Sequence, residues 1–196
     1  MTLAVSPDTQ VDRSAGVTAP AGFRAAGVIA GIKPAGTPDL TVVVNDGPHD
    51  VAAGVFTTNK VKAAPVLWSQ QVLTAGVLKA VVLNSGGANA CTGPEGFQDT
   101  HKTAEKLASV LGVGAAQIGV CSTGLIGERL PMSSLLPGID AAVEALGADA
   151  AAGLAAATAV MTTDNVPKQA ALKHPDGWSI GGFAKGAGMC APNMAT

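Results

Sequence analysis

The sequence predicts an α+β fold in which helices cover a mostly antiparallel sheet. Short apolar and β-branched runs, punctuated by Pro, Gly and Asp turns, fill the first half. Helical spacing of apolar residues dominates two later regions. No βαβ unit recurs at an even length, which argues against an all-parallel sheet.

Residues 1–20 read as a lead-in with Pro7 and Pro20, loose over residues 1–15. Strand-like runs then occupy residues 23–32, 40–45 and 51–57. Residues 66–73 fit a strand or a short helix, and periodicity does not decide between them. Residues 80–83 make a compact apolar strand running into a glycine-rich turn. Thr92-Gly93-Pro94-Glu95 then has the form of a capping box with Pro in the first turn. Behind it Phe97, His101, Ala104, Leu107, Ala108 and Leu111 recur at helical spacing. Residues 118–121 are another buried strand. Leu135, Leu136, Ile139, Val143 and Leu146 make residues 132–146 a helix, which Gly147 ends. Residues 148–161 are alanine-rich and helical, and residues 178–184 return to strand.

Composition narrows the function. The chain has 196 residues, enough for one domain or a large piece of one. It is 47% hydrophobic and 13% charged, so a sizeable core leaves little charge for the surface. A partner chain covering an apolar face is expected. The net charge of −2, with Lys and Arg scattered singly and no Tyr, argues against nucleic-acid binding. Residues 1–8 lack the basic and apolar regions of a signal peptide. Residues 148–161 are shorter than a membrane span of about 20 residues and carry Asp149. The expected location is the cytosol, without membrane attachment. The three cysteines (Cys91, Cys121, Cys190) are odd in number and widely spaced, against a disulfide framework or a zinc site. They read as buried free thiols, and His49, His101 and His174 as structural or surface residues. No metal and no resident cofactor are expected.

Four segments could carry chemistry. Asn84-Ser85-Gly86-Gly87-Ala88-Asn89-Ala90-Cys91-Thr92-Gly93 is a strand-exit loop whose glycines allow close approach and whose Asn84 and Asn89 amides could meet a ligand. A tight connection into a capped helix is the favoured reading of it. Cys121-Ser122-Thr123-Gly124-Leu125-Ile126-Gly127 follows a strand too. Its Thr123-Gly124 pair could aim a hydroxyl and an N–H at one spot, as an oxyanion hole requires, or form an ordinary turn. Met161-Thr162-Thr163-Asp164-Asn165-Val166-Pro167-Lys168 crowds polar groups at a helix exit. Thr162, Thr163, Asp164 and Asn165 could bind a polar substrate or cap and turn the chain before Pro167, and capping is the favoured reading of Asp164 and Asn165. The fourth runs from Lys185-Gly186 to Pro192-Asn193-Met194-Ala195-Thr196. A Thr hydroxyl beside the Ala195 carbonyl is what a self-cleaving precursor needs. Attack on that carbonyl forms an ester, and water then releases a Thr with a free α-amine. An α-amine of pKa about 7.7–8.0 can accept that Thr's own hydroxyl proton. An irregular tail is the plainer alternative.

Taken together, these segments resemble the ornithine acetyltransferase (glutamate N-acetyltransferase) family of arginine biosynthesis. Val17-Thr18-Ala19-Pro20-Ala21-Gly22-Phe23 and Leu83-Asn84-Ser85-Gly86 fall in the family's order, as do the stretches around Cys91, Thr123, Thr162 and Lys185 and the run ending on Thr196. The likeness covers nearly the whole chain after about residue 15. It implies a layered helix/sheet sandwich like that of N-terminal-nucleophile hydrolases, with residues 1–196 as an α chain completed by a β chain. It implies cleavage between Ala195 and Thr196, with Thr196 as nucleophile and substrate contact. Thr123 and Gly124 would form the oxyanion hole, and Thr162 and Lys185 would bind substrate. The implied reaction is a ping-pong transfer of acetyl from N-acetylornithine to glutamate. It yields ornithine and N-acetylglutamate, with acetyl-CoA as a further candidate donor. The implied assembly is an α2β2 heterotetramer. A self-cleaving aminopeptidase or amidase, usually with Ser at the cleavage point, is one alternative, and a non-catalytic binding subunit is another.

Overall fold

Alternation along one strand organises the molecule, whose computed structural model describes residues 10–187. Strand β3 (Leu40–Asn45) sends Leu40, Val42 and Val44 into the core and turns Thr41 to the opposite face. It lies inside a sheet ordered β2 (Phe23–Val28), β3, β4 (Ala80–Gly87) and β5 (Ile118–Leu125). The β2–β3 and β3–β4 pairs are antiparallel, and β4–β5 is parallel. Helices α1 (Ala64–Val72), α2 (Gly93–Leu111) and α3 (Met132–Glu144) bury their apolar faces on one side of it. Leu40, Leu107, Leu135 and Ile139 are 0% exposed there. Each contributes about 1.5–3 kcal/mol of transfer free energy.

The opposite face receives α4 (Ala150–Ala159), an alanine-rich helix packed on β2 and β3 and touching β6 (Lys168–Lys173) beyond them. A helix apolar all round belongs between layers. Its small side chains bring the backbones close. A Cβ on Gly27 would lie 2.0 Å from the Ala155 carbonyl oxygen. Hydroxyls from the sheet then serve the helix end. Thr41 Oγ1 donates to the Ala156 carbonyl (2.9 Å) and Ser85 Oγ to the Ala159 carbonyl (2.6 Å). Both carbonyls belong to the last turn, where no intrahelical donor is available.

Both edges of this sheet are covered, which prevents strand addition along them. On β5, Trp68 Nε1 donates to the Ile118 carbonyl (2.9 Å), and Ser69 Oγ donates to the Val120 carbonyl (2.7 Å). On β2, Ala25 exchanges two hydrogen bonds with Gly147. A second, antiparallel sheet is ordered β1 (Gln10–Asp12), β6, β7 (Ser179–Ala184). His174 stacks on Trp178 at its hairpin, with ring centroids 4.5 Å apart. Val11, Leu172, Ile180 and Phe183 line an open apolar groove on it.

The α+β layering agrees with the sequence, and six local readings change. Residues 10–12, inside the stretch expected to be loose, pair with β6. Residues 51–57 make only a single bridge, Val51 to Val77, because no strand runs beside the rest. Residues 66–73 resolve as α1, begun by Pro65 in its first turn. Strand β6 has no β-branched residue to announce it; pairing on both sides overrides its weak propensity. Thr92 makes no capping box, because its hydroxyl donates instead to Asn89 Oδ1 at 2.6 Å. Cys91 and Cys121 are exposed, not buried. Cys121 alternates away from the core-facing Val120, on a strand that α4 does not cover as it covers β2 and β3. Cys190 lies outside the described residues.

Substituting Gly27 tests the seating of α4. Gly27→Ala puts a methyl against the Ala155 carbonyl and forces the helix outward, at a cost of about 1–3 kcal/mol. Urea unfolding of the full-length protein should show a lower midpoint with an unchanged slope.

Candidate active site

The parallel strands β4 and β5 end side by side, with Gly86 opposite Gly124. A Cβ on Gly124 would fall 2.3 Å from the Gly86 carbonyl carbon, and its φ is +134°. Only glycine fits such a contact and such a φ. The crevice outside the carboxyl ends of parallel strands is where open sheets present ligand-binding groups. Thr123 sits there, one residue before Gly124, half-buried.

Two other segments arrive at the same place. Helix α4 ends at Ala159 and releases the turn carrying Thr162, while β7 ends at Ala184 and releases Lys185. Lys185 Nζ donates to Thr123 Oγ1 and to Thr162 Oγ1, both at 2.9 Å. A hydroxyl oxygen that accepts from an ammonium keeps its own proton free for another acceptor. Thr123 O–H is therefore available beside Gly124, with a cation directly behind it. Ala195 and Thr196 lie outside the described residues.

The ArgJ family pattern matches residues 24–196. The chain belongs to the ArgJ family. It is 63% identical over 189 residues to the arginine biosynthesis bifunctional protein ArgJ of Mycolicibacterium paratuberculosis, covering 94% of this chain and 47% of that protein. It is likewise 63% identical over 180 residues to the Streptomyces coelicolor ArgJ protein, covering 92% of this chain and 46% of that one. The chain thus spans about half the length of the curated relatives it matches. Among solved structures, it is similar to the ornithine acetyltransferase complexed with ornithine from Mycobacterium tuberculosis. That match has a TM-score of 0.92 and 62% identity, over 94% of this chain and 98% of that chain. The Bacillus halodurans ArgJ structure matches with a TM-score of 0.86 and 36% identity, over 96% of this chain and 100% of that one.

Within this family fold, three charged residues that sequence reasoning did not single out (Lys33, Asp39 and Lys168), together with Asp164, whose favoured reading was a cap, frame the threonines. Lys33 Nζ donates to the Pro38 (2.9 Å) and Met161 (2.7 Å) carbonyls, so it holds the turn that leads into Thr162. Asp39, wholly buried, accepts from the Ala30, Ile32 and Lys33 amides and shapes the loop from which Lys33 reaches. The Asp164 carboxylate accepts from Lys168 Nζ, the Thr162 amide (3.1 Å) and the Gly186 amide (2.7 Å). Asp164 does turn the chain, as its reading as a capping residue implied, but it also reaches the loop after β7. The four-residue spacing of Asp164 and Lys168 was the one available signal. For Lys33 and Asp39 there was none.

Burial draws the ammoniums of Lys33 and Lys185 below the usual lysine range, against the opposing pull of Asp39 and Asp164 respectively. Asn84 and Asn89 spend their amides internally. Asn84 Nδ2 donates to the Gly87 carbonyl (2.9 Å), and Asn89 Nδ2 to the Gly96 carbonyl (2.8 Å) and Thr100 Oγ1 (2.9 Å). That loop is the tight connection favoured from sequence. None of the four charged residues is a histidine: His101 packs on Trp68 and His174 on Trp178.

The Asp164 carboxylate gives a pH signature. Burial raises its pKa, but the hydrogen bonds from Lys168 and the two amides outweigh burial and hold it far below the usual range. As pH falls, the unfolded chain takes up this proton before the folded one does. Asp164 therefore stabilises fully above the unfolded pKa of about 3.9, and loses that effect as pH falls toward the folded value. Asp164→Asn should lower the melting temperature at neutral pH, and the gap to wild type should close below about pH 4. Melting curves of both proteins across acid pH check this.

Proposed function

We propose that this chain is the amino-terminal half of an acetyltransferase that moves acetyl from N2-acetyl-L-ornithine to L-glutamate. The observation that carries the reading is the meeting of Thr123 and Thr162 on the Lys185 ammonium, beside the glycine contact of β4 and β5. Family membership and the ornithine-bound relative support the substrate class.

In the proposed chemistry, the precursor cleaves between Ala195 and Thr196, and the freed α-amine of Thr196 takes the proton from its own hydroxyl. The oxygen attacks the acetyl carbonyl of N-acetylornithine. Negative charge builds on the carbonyl oxygen and is met by Thr123 O–H and Gly124 N–H. Collapse breaks the C–N bond, the amine proton passes to the departing nitrogen, and ornithine leaves an acetyl ester on Thr196. The glutamate amine then attacks that ester through a second, similar intermediate, giving N-acetylglutamate and restoring the hydroxyl. Lys185, with Thr162, suits the α-carboxylate common to both amino acids. No resident cofactor or metal is needed. Acetyl-CoA is proposed as a second acetyl donor; the relatives are named bifunctional, which fits a second activity without naming its substrate.

The proposed assembly is two such chains with two carboxyl-terminal β chains, in the cytosol. The crystallised relatives' chains have about this chain's length, whereas the curated relatives are about twice as long. That contrast supports division of the precursor, and the apolar groove beside β7 offers the second half a surface. Among the described residues no helix is long and apolar enough to cross a membrane.

Two substitutions in the full-length protein test the reading. Thr196→Ala removes the hydroxyl and should leave one uncut, inactive polypeptide. Wild type given N-acetylornithine without glutamate should instead gain one acetyl group on the β chain, read by intact mass. A cut and active Thr196→Ala protein would sink the enzyme reading, and an aminopeptidase would pass the acyl group to water and need no glutamate. Thr123→Ala removes an oxyanion donor and should lower kcat by about 10²–10³ with KM nearly unchanged.

A further inference from the structure

We infer that Asp164 is a positioning residue: its buried carboxylate ties the Thr162 turn to the Lys185 loop and, with Lys168, sets where the Lys185 ammonium stands. The inference rests on the proposed role of Lys185 in binding the substrate carboxylate. It concerns groups that do not themselves touch substrate.

The geometry is specific. The Asp164 side chain is 0% exposed. One oxygen accepts from the Thr162 amide, and the other from the Gly186 amide and Lys168 Nζ. Lys168 Nζ also donates to the Gly186 carbonyl at 2.8 Å. Both backbone groups of Gly186 are thus held by one ion pair, immediately after Lys185. The other partner of Lys185, Thr162, is gripped through its own amide by the same carboxylate. The far end of the turn is fixed by Lys33 on the Met161 carbonyl. The carboxylate therefore sets the spacing between the Thr162 turn and the backbone that immediately follows Lys185.

The same groups also set the field at that ammonium. Burial pulls the Lys185 pKa down, Asp164 pushes it up and Lys168 pulls it down again. Lys33 stands in the same field, its own pKa lowered in part by Lys185. A carboxylate ligand is held only while Lys185 carries its proton, so binding should weaken as pH rises through the Lys185 pKa. A local cap would influence stability alone. A positioning residue should also move this alkaline limb. Removing Asp164's charge should shift the limb to lower pH, and removing Lys168's charge should shift it to higher pH.

The experiment measures KM for N-acetylornithine against pH in the full-length protein, for wild type, Asp164→Asn, Lys168→Met and Lys185→Met. Asp164→Asn should raise KM about tenfold or more, as expected for losing charged hydrogen bonds, with its limb moved down. Lys168→Met should move the limb up. Wild-type KM and limb in both variants, or shifts of the same sign, would overturn the inference. If Asp164→Asn does not fold, Lys168→Met decides alone: an upward shift supports the inference, and an unmoved or lowered limb defeats it. Lys185→Met separates the two layers. If it keeps wild-type KM and limb, the binding role of Lys185 itself is wrong. If it raises KM and abolishes the limb while the other variants change nothing, only the inference fails.

Discussion

The seating of α4 on the back of the four-stranded sheet is the contact on which the rest depends. Gly27 lets the Ala155 backbone come down onto β2, and Thr41 and Ser85 hold the last carbonyls of the helix. A helix end normally leaves such carbonyls to solvent or to a following turn. Here buried hydroxyls of β3 and β4 take them, so the point where the chain leaves the helix is fixed to the sheet. Met161, Thr162 and Asp164 follow directly. The same β4 that supplies Ser85 carries Gly86, against which Gly124 packs. Scaffold and candidate site therefore share one strand, and a shift of the helix would be felt at the ammonium of Lys185.

The core was legible in the sequence where burial imposed a period. Leu40–Asn45 was readable to the residue, and α2 and α3 to within a residue or two, because each has a single apolar face. The irregular stretch after Val51 misled because its residues favour strands while no neighbour pairs with them. β6 was missed for the opposite reason: Lys-Gln-Ala-Ala-Leu-Lys favours a helix, and pairing alone makes it a strand. Of the candidate site, Thr123, Gly124, Thr162 and Lys185 were reached through motif and family likeness, and the structure brings Thr123 and Thr162 onto one ammonium. Lys33, Asp39 and the reach of Asp164 were not legible. Their partners are backbone atoms, and backbone partners leave no trace in residue identity.

The chain carries few charges, and it concentrates several of them around this corner. Lys33, Lys168, Lys185, Asp39 and Asp164 sit in the turn after α4, at the start of β6, just after β7 and in the loop before β3. A cation on the Met161 carbonyl also lies where a helix carboxyl end favours positive charge. Elsewhere one carboxylate, Asp99, is buried beneath the bidentate guanidinium of Arg129, while pairs such as Arg24 with Asp46, whose side chains are each 39% exposed, are peripheral. Pairs of that kind contribute little. A protein that is 47% hydrophobic has thus placed two of its buried carboxylates, Asp39 and Asp164, where polar groups converge.

The contact between Gly86 and Gly124 also limits how this site can be redesigned. Two neighbouring strands meet there without side chains, and the carbonyl of one occupies the space a methyl on the other would need. A library that varies either position would return mainly damaged proteins, whatever chemistry was selected. Room for altered specificity lies on the loops instead, at the exposed Thr163 and Asn165 beside Thr162. The floor of the crevice is fixed by backbone, and the exposed side chains at its rim are the ones that can be exchanged.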